Sequence, residues 1–148
     1  MPEDLNPFGK ELFGREHVRV YRETGGEQGH HWRGTTILLL SNTGRVSGRE
    51  RTAPLIYRRA GEAWVVVASK GGSPDHPDWY KNLQAHPDAT VQVKNEQIPV
   101  RARTSQGAER TRLWRLMTEA WPPYDEYQGN TEREIPVVVL ERRAVASA

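Results

Sequence analysis

Short apolar runs separated by turn residues fill most of the chain after residue 35. Residues that favour strands concentrate in six segments: 36–42, 52–59, 63–69, 89–94, 97–104 and 135–142. The stretches RRAGEA at 58–63 and KNEQ at 94–97 have the composition of tight turns. The pattern therefore predicts six strands, joined mainly by short antiparallel connections.

Helical spacing appears first near the N-terminus. Leu5, Phe8 and Leu12 recur at helical intervals, which predicts an amphipathic helix over residues 4–20. The glycine-rich stretch TGGEQGHHWRG follows, so residues 21–35 are predicted to form a linker. We expect this helix to pack on the domain rather than to lie on a membrane surface.

Two further helices interrupt the strands. The first is predicted within DHPDWYKNLQAHP, residues 75–87, with Asp75 as its N-cap and Pro77 in its first turn. The second starts near Ser105 and carries one apolar face that should pack against the sheet, formed by Leu113, Leu116, Met117 and Ala120. Strands with inserted helices predict an α+β fold with a small barrel or rolled sheet, rather than a doubly wound parallel fold.

Composition narrows the function classes. The 148 residues fit a single domain, 1–148, in which residues 36–143 form the barrel. The chain has no cysteine, which excludes disulfides and thiolate nucleophiles. Its net charge is only +2 and its basic residues are interspersed with acidic ones, which disfavours a nucleic-acid partner. The longest apolar runs are too short to span a bilayer, and Glu3 and Asp4 stand where a signal peptide is basic, so we expect a cytoplasmic protein.

Two catalytic classes find little support in the residue spacing. The five histidines include no H-E-x-x-H motif and no carboxylate–histidine spacing, so no metal site is predicted. Ser47 lies in GRVSG, which is not a nucleophile elbow, so a serine hydrolase is disfavoured.

The stretch TGRVSGRERTAPL, residues 43–55, is longer than a connection between two strands requires. Gly44 and Gly48 allow backbone N–H groups to converge on a ligand, while the arginines at 45, 49 and 51 offer forked donors to phosphate or carboxylate. The same composition also fits a solvated hairpin loop. This loop alone therefore leaves an anion cradle and a plain hairpin open.

A second basic loop lies in ASKGGSPDHPDWYKNL, residues 68–83. Ser69 and Lys70 end a strand and precede two glycines and a helix start, which would gather a hydroxyl, an ammonium, backbone donors and a helix N-terminus around one anion. By itself the segment is also an ordinary strand-to-helix connection. Two such loops at neighbouring strand ends favour a polyanionic ligand.

Three aromatic residues follow the long helix at regular intervals. Trp121, Tyr124 and Tyr127 recur every three residues, and Pro122 and Pro123 prevent the helix from continuing, so a loop or a separate short turn is expected. Each aromatic side chain could pack in the core. Together they could instead form one wall of a pocket for a planar ligand.

These motifs, in this order, resemble the deazaflavin-dependent nitroreductase family. The resemblance rests on G-R-x-S-G-x-x-R-x-x-P-L (44–55), V-A-S-K-G-G (67–72), H-P-x-W-Y-x-N-L (76–83), the aromatic loop and I-P-V-V-V (135–139). It implies a split β-barrel like the flavin-binding split barrels and the reduced 8-hydroxy-5-deazaflavin coenzyme F-420. It also implies that the phosphate and glutamate tail lies on the arginine loop and the ring near the serine–lysine segment.

The resemblance also implies individual roles. Coenzyme-binding positions are Arg45, Val46, Ser47, Arg51, Ala53, Pro54, Val67, Ala68, Ser69, Lys70, Gly71, Trp79 and Asn82. The positions on the substrate side are Ser69, Trp121, Tyr124 and Tyr127. Val46 stands where the family frequently has lysine, and Asn130 stands where an aromatic residue can close the pocket.

The implied reaction is hydride transfer from the reduced coenzyme to an electron-poor acceptor such as a quinone, with nitro compounds as additional substrates. Ser69 is the expected donor to the negative charge that develops on the acceptor, and Tyr124 is expected to shape the pocket or to relay a proton. The alternative is a non-catalytic protein that binds or carries the coenzyme. The chain is expected to act as a monomer or a homodimer.

Overall fold

Eight strands form one curled antiparallel sheet in residues 12–144, the part of the chain that the structure, a computed structural model, describes. The strands are β1 (His31–Trp32), β2 (Thr35–Thr43), β3 (Glu50–Ile56), β4 (Arg58–Ala60), β5 (Ala63–Val67), β6 (Asp88–Val93), β7 (Glu96–Thr104) and β8 (Val137–Arg142). The helices are α1 (Gly14–Thr24), α2 (Asp78–Ala85), α3 (Gly107–Ala120) and α4 (Pro123–Gly129). The predicted α+β class and the antiparallel pairing are confirmed.

A bend between β3 and β4 connects the two sides of this sheet, because β3 pairs with β2 and β4 pairs with β5. The strand order is β1-β2-β6-β7-β8-β5-β4, and β3 also pairs with β2. Only Tyr57 separates β3 from β4; its N–H donates to the Thr36 carbonyl at 3.0 Å, and its carbonyl accepts from the Thr36 hydroxyl at 3.0 Å. Because β4 pairs with β5, the sheet curls into a split barrel. The single strand predicted over 52–59 was therefore wrong, since the chain turns at Tyr57.

The continuous apolar runs are strands that are buried on both faces. In β5, Trp64 and Val66 point into the barrel interior, while Val65 and Val67 face α3 and α4. Successive side chains of a strand point to opposite faces, so an uninterrupted apolar run requires a cover on each face. Leu38 in β2 likewise lies in the interior, whereas Leu39 packs under α1 with Tyr21.

Helix α1 docks on the outside of the sheet through its buried face. The Tyr21 hydroxyl donates to the Ile37 carbonyl at 3.0 Å and accepts from the Lys94 N–H at 2.6 Å. Desolvation raises the pKa of Tyr21 to about 12, so the hydroxyl keeps its proton. Gly26 follows the helix with φ +82, and a Cβ there would lie 2.6 Å from Lys94 Cα, so only glycine allows this contact.

The N-terminal boundaries differ from the prediction. The predicted helix residues 4–11, with Leu5 and Phe8, lie outside the described residues, and α1 runs from Gly14 to Thr24, past the predicted end at residue 20. The segment predicted as a linker contains β1, which forms a hairpin with the start of β2. Two-residue strands carry too little periodicity to be recognised.

The other helices lie close to their predicted positions. Pro77, rather than Asp75, is the N-cap of α2; the Asp75 carboxylate instead accepts from Lys81 Nζ at 2.8 Å. Helix α3 packs on the sheet through the predicted stripe, with Leu113 and Met117 buried. Within residues 12–144, the helices are too short or too polar to cross a membrane.

Candidate functional site

Two adjoining cavities open where the β2–β3 loop, the end of β5 and α2 meet. The first, which we call the basic cleft, has a volume of about 570 Å³ and is lined by residues from 42 to 53 and by Asp78, Trp79 and Asn82 of α2. The second, the aromatic pocket, has a volume of about 560 Å³ and is lined by β3, the segment after β5, α4, and residues of α1 and β1. Ala53 and Trp79 line both cavities, so the two adjoin, and we refer to them together as the groove.

The β2–β3 loop is fixed to α2 at the basic cleft. The N–H and Nη1 of Arg45 donate to Oδ1 of the buried Asn82 at 3.0 and 2.8 Å, and its Nη2 donates to Asp78 Oδ1 at 3.3 Å. The loop closes on itself because Gly44 N–H donates to the Arg49 carbonyl at 2.8 Å. A Cβ on Gly44 would lie 2.8 Å from Ser47 Oγ and 3.2 Å from the Arg49 carbonyl oxygen, so a larger residue there would displace the Ser47 side chain.

The cleft offers donors and acceptors without partners in the described part of the chain. The Arg51 guanidinium makes no ion pair with any residue described, and Asn42 Oδ1 is buried without a hydrogen-bond partner. Val46 is 92% exposed at the rim. Free cationic and polar groups in a cleft of this size suit an extended anionic ligand.

The chain after β5 makes a compact turn on the wall of the aromatic pocket. Ser69 is right-handed at φ -80, and Lys70 and Gly71 are left-handed at φ 47 and 61. This sequence of conformations is that of a nest, in which successive N–H groups converge on an anion. Among the described residues, nothing accepts from the N–H groups of Lys70 and Gly71, and nothing bonds the Ser69 hydroxyl.

Another part of the pocket wall consists of aromatic side chains from α4 and its entry. Tyr124 and Tyr127 meet edge to face with ring centroids 6.1 Å apart, and Trp121 Nε1 donates to the Tyr127 hydroxyl at 3.4 Å. Burial, and then the neighbouring Tyr127, raise the pKa of Tyr124 well above its ordinary value. Tyr124 therefore stays neutral and is a poor proton source at neutral pH. The predicted separate turn is helix α4, which Pro123 begins.

A third part of the wall was missed in the sequence. Trp32 of β1 lies with its ring centroid 5.8 Å from that of Trp121, and its Nε1 donates to the Leu12 carbonyl at 3.0 Å. His17 and Phe13 line the same pocket. Burial lowers the pKa of His17, whose Nε2 donates to the Gly29 carbonyl at 2.8 Å. No local motif marks these residues, because the fold alone brings α1 and β1 to the pocket.

Arg133 was also missed, although it lies directly behind the Ser69 turn. Its guanidinium donates to the carbonyls of Ala68, Ser69 and Ser73 at 3.2, 2.6 and 2.8 Å. These partners are 60 to 65 residues earlier in the chain, so spacing does not reveal them.

The predicted site residues fall into three groups. The basic cleft is lined by Arg45, Val46, Ser47, Arg51, Ala53, Trp79 and Asn82. The aromatic pocket is lined by Ala53, Pro54, Val67, Ser69, Lys70, Gly71, Trp79, Trp121, Tyr124 and Tyr127. Ala68 is fully buried in the barrel interior and lines neither cavity, because its side chain points to the opposite face from Val67.

The groove fits an elongated ligand with an anionic tail and a planar ring. Unpaired arginine and the orphaned Asn42 oxygen lie at one end, and the nest and the aromatic wall lie at the other. Aromatic faces and converging N–H groups together suit a ring with polar edges.

Residues 12–142 match the family model described as F420H(2)-dependent quinone reductase. A Mycobacterium tuberculosis protein named F420H(2)-dependent quinone reductase is 43% identical over 133 residues, which cover 87% of this chain and 89% of the relative. A solved structure described as F420-H2 Dependent Reductase (FDR-A) has a TM-score of 0.67 and 44% identity, covering 74% of this chain and 95% of its own. Another, described as a domain-swapped dimer, has a TM-score of 0.70 and 40% identity, covering 84% and 92%.

Proposed function

The chain belongs to the F420H(2)-dependent quinone reductase family, and we propose that it is an oxidoreductase that transfers hydride from the reduced deazaflavin coenzyme to a quinone. The observation that carries this proposal is that the basic cleft and the aromatic pocket adjoin at Ala53 and Trp79. A ligand that is anionic at one end and planar at the other requires such a groove. Most of the residues to which the family resemblance assigns a binding role also line this groove.

Coenzyme binding is divided between the two cavities. Arg45, Arg51 and Asn42 would hold the anionic tail, and the turn from Ser69 to Gly71 would hold the polar edge of the ring. When bound, the reduced deazaflavin supplies the hydride. The protein orients the reacting partners and excludes water from between them.

The acceptor lies between the ring and the aromatic wall. Ser69 supplies a hydroxyl that no described residue uses, and it donates to the acceptor oxygen on which negative charge develops. Trp121, Tyr124 and Tyr127 present flat apolar faces to a quinone. The neutral, buried Tyr124 shapes this wall rather than relaying a proton.

Oxidation of the reduced coenzyme by menadione, followed anaerobically by absorbance, tests this function. We expect turnover that saturates in both substrates. A protein that binds the coenzyme stoichiometrically but does not turn over with any quinone would instead be a carrier. A nitroimidazole in place of menadione tests the wider acceptor range, which we propose to include nitro compounds.

A competition titration tests the choice of cofactor separately. Oxidised coenzyme F-420 and riboflavin phosphate are both planar with anionic tails, so the groove must distinguish them by the ring edge and tail length. We expect the deazaflavin to bind at least tenfold more tightly. Preference for riboflavin phosphate would contradict the proposed cofactor.

The assembly we propose is a homodimer. The support is the similarity to a solved structure described as a domain-swapped dimer. Light scattering after size-exclusion chromatography measures the mass directly, and 16.9 kDa would indicate a monomer.

A further inference from the structure

The turn after β5 has a backbone conformation that needs support from outside. Lys70, Gly71 and Gly72 are all left-handed, at φ 47, 61 and 83, and lysine is not a residue that favours this region. Within the turn, Gly72 N–H donates to the Ser69 carbonyl at 3.0 Å and Ser73 N–H donates to the Lys70 carbonyl at 3.1 Å. Two hydrogen bonds within a short turn do not fix the direction of its outer N–H groups.

Arg133 binds both ends of this turn from behind. Its Nη2 donates to the Ser69 carbonyl at 2.6 Å, and its Nε donates to the Ser73 carbonyl at 2.8 Å. Its Nη1 reaches the Ala68 carbonyl at 3.2 Å and His76 Nδ1 at 2.9 Å. Because arginine only donates, His76 Nδ1 is the acceptor.

These contacts use arginine in a way that serves the backbone rather than charge neutralisation. Arg133 has no ion pair with a described carboxylate, and burial lowers its pKa. The Ser69 carbonyl and the Lys70 N–H belong to one planar trans peptide, so turning that carbonyl towards the guanidinium directs the Lys70 N–H away from it. The Gly71 N–H shares its peptide with the Lys70 carbonyl, which accepts from Ser73 N–H, and Arg133 holds Ser73 through its carbonyl. Those N–H groups and the Ser69 hydroxyl belong to residues of the aromatic pocket.

We propose that Arg133 is a positioning residue that holds the turn from Ser69 to Ser73 in the conformation that binds the coenzyme ring and aims the Ser69 hydroxyl. The proposal rests on the proposed function, because it assigns the turn to the coenzyme. Arg133 contacts neither the coenzyme nor the acceptor in this scheme. Its effect passes through backbone carbonyls, and a planar fork with five N–H groups is required to bridge them.

Arg133→Lys tests the geometry while keeping the charge. One ammonium cannot span the carbonyls of Ser69 and Ser73 at both ends of the turn, so the Lys70 N–H should lose its fixed direction. We expect the dissociation constant of oxidised coenzyme, measured by a fluorescence titration without turnover, to rise about tenfold. At saturating coenzyme, kcat should fall about 10- to 100-fold while the KM for menadione changes by less than about threefold.

Arg110→Lys is the matched control. Arg110 is also partly buried and donates to a backbone carbonyl at 2.8 Å, but that carbonyl belongs to Ile135, outside the Ser69–Ser73 turn. We expect it to lower the thermal midpoint without changing the coenzyme dissociation constant. An equal loss of affinity in both variants would reduce Arg133 to a general stabilising residue and overturn the proposal.

His76→Phe gives a second test in case Arg133→Lys does not fold. It removes only one acceptor of Arg133 and keeps a ring beside Tyr80, which lies 5.0 Å from His76 between centroids. We expect a two- to fivefold rise in the coenzyme dissociation constant. Unchanged binding and kcat in whichever variant folds would overturn the proposal. A parent protein that does not bind coenzyme would instead contradict the proposed function.

Discussion

Ser69 combines an unused hydroxyl with a position on the wall of the aromatic pocket. A donor to charge that develops only during the reaction stabilises the transition state much more than the bound substrates. Its removal should therefore affect rate and binding differently. This separation is the experimental signature of the role we assign to it.

Ser69→Ala should leave the coenzyme dissociation constant within about threefold and reduce kcat by up to about 100-fold, as expected for loss of a single oxyanion donor. Stopped-flow measurement of coenzyme oxidation under single-turnover conditions would detect the change directly. Thr111→Ala, which removes an exposed hydroxyl on α3 outside both cavities, is the control and should retain the rate. An unchanged rate with collapsed affinity in Ser69→Ala would show that this hydroxyl anchors the coenzyme instead.

Val46→Lys should tighten coenzyme binding by a few-fold at low salt. The side chain is 92% exposed at the rim of the basic cleft, where two charges about 5 Å apart gain only about 1 kcal/mol. Titrations at about 50 and 500 mM salt should show the gain shrinking as the charges are screened. Gln97→Lys adds the same charge outside both cavities, and equal tightening there would contradict local binding of the tail.

Among the elements around the site, the sequence revealed those with a distinctive local pattern and missed those that depend on long-range contacts. Strands β2 and β8 were predicted closely because apolar or β-branched runs with both faces buried are distinctive. The motif segments containing Arg45 and Ser69 were found because glycines and charged residues cluster locally. Arg133, His17 and Trp32 were not found, because their roles depend on contacts between distant segments.

The contact between the Ser69 turn and α4 depends on Gly72. Its φ is +83, and a Cβ there would lie 2.6 Å from the Tyr127 carbonyl oxygen, a backbone atom that cannot rotate away. Gly71 also has a positive φ, of +61, but a Cβ there would meet nothing within 4 Å. Comparing alanine substitutions at these two glycines therefore distinguishes the cost of steric overlap from the cost of backbone strain.

Gly72→Ala should lower the free energy of unfolding by about 2 to 4 kcal/mol, because strain and overlap add. Gly71→Ala should lose about 1 kcal/mol from strain alone. Urea denaturation of the two variants measures the difference. Equal losses of unfolding free energy in the two variants would mean that α4 moves away from the turn at little cost, and that their close packing does not stabilise the protein.

For the molecule as a whole, two imidazoles with lowered pKa values, those of His17 and His76, connect stability to pH. Burial lowers the pKa of His17 below 6.5, and burial followed by Arg133 lowers that of His76. Below pH 6.5 the unfolded chain therefore binds more protons than the native protein. Stability should be complete above this pH and fall as the pH drops towards the native values of the two groups.

Urea unfolding between about pH 5 and pH 8 checks this expectation, and each such histidine adds at most about 1.4 kcal/mol per pH unit. His17→Gln should reduce the slope, since glutamine can still donate to the Gly29 carbonyl but does not titrate. His86→Gln, at an exposed position, controls for loss of one imidazole. A protein that becomes more stable on acidification would contradict the assignment.

The two sides of the groove come from different layers of the molecule. In the function we propose, the Ser69 turn, β3 and α2 border the coenzyme, whereas α4, β1 and the start of α1 supply the aromatic side that faces the acceptor. Substrate preference can therefore diverge during evolution through surface elements while the barrel and its coenzyme chemistry are inherited unchanged. A mutant library confined to the partly buried Trp32, Trp121 and Tyr127 should change the range of acceptors while coenzyme affinity is retained.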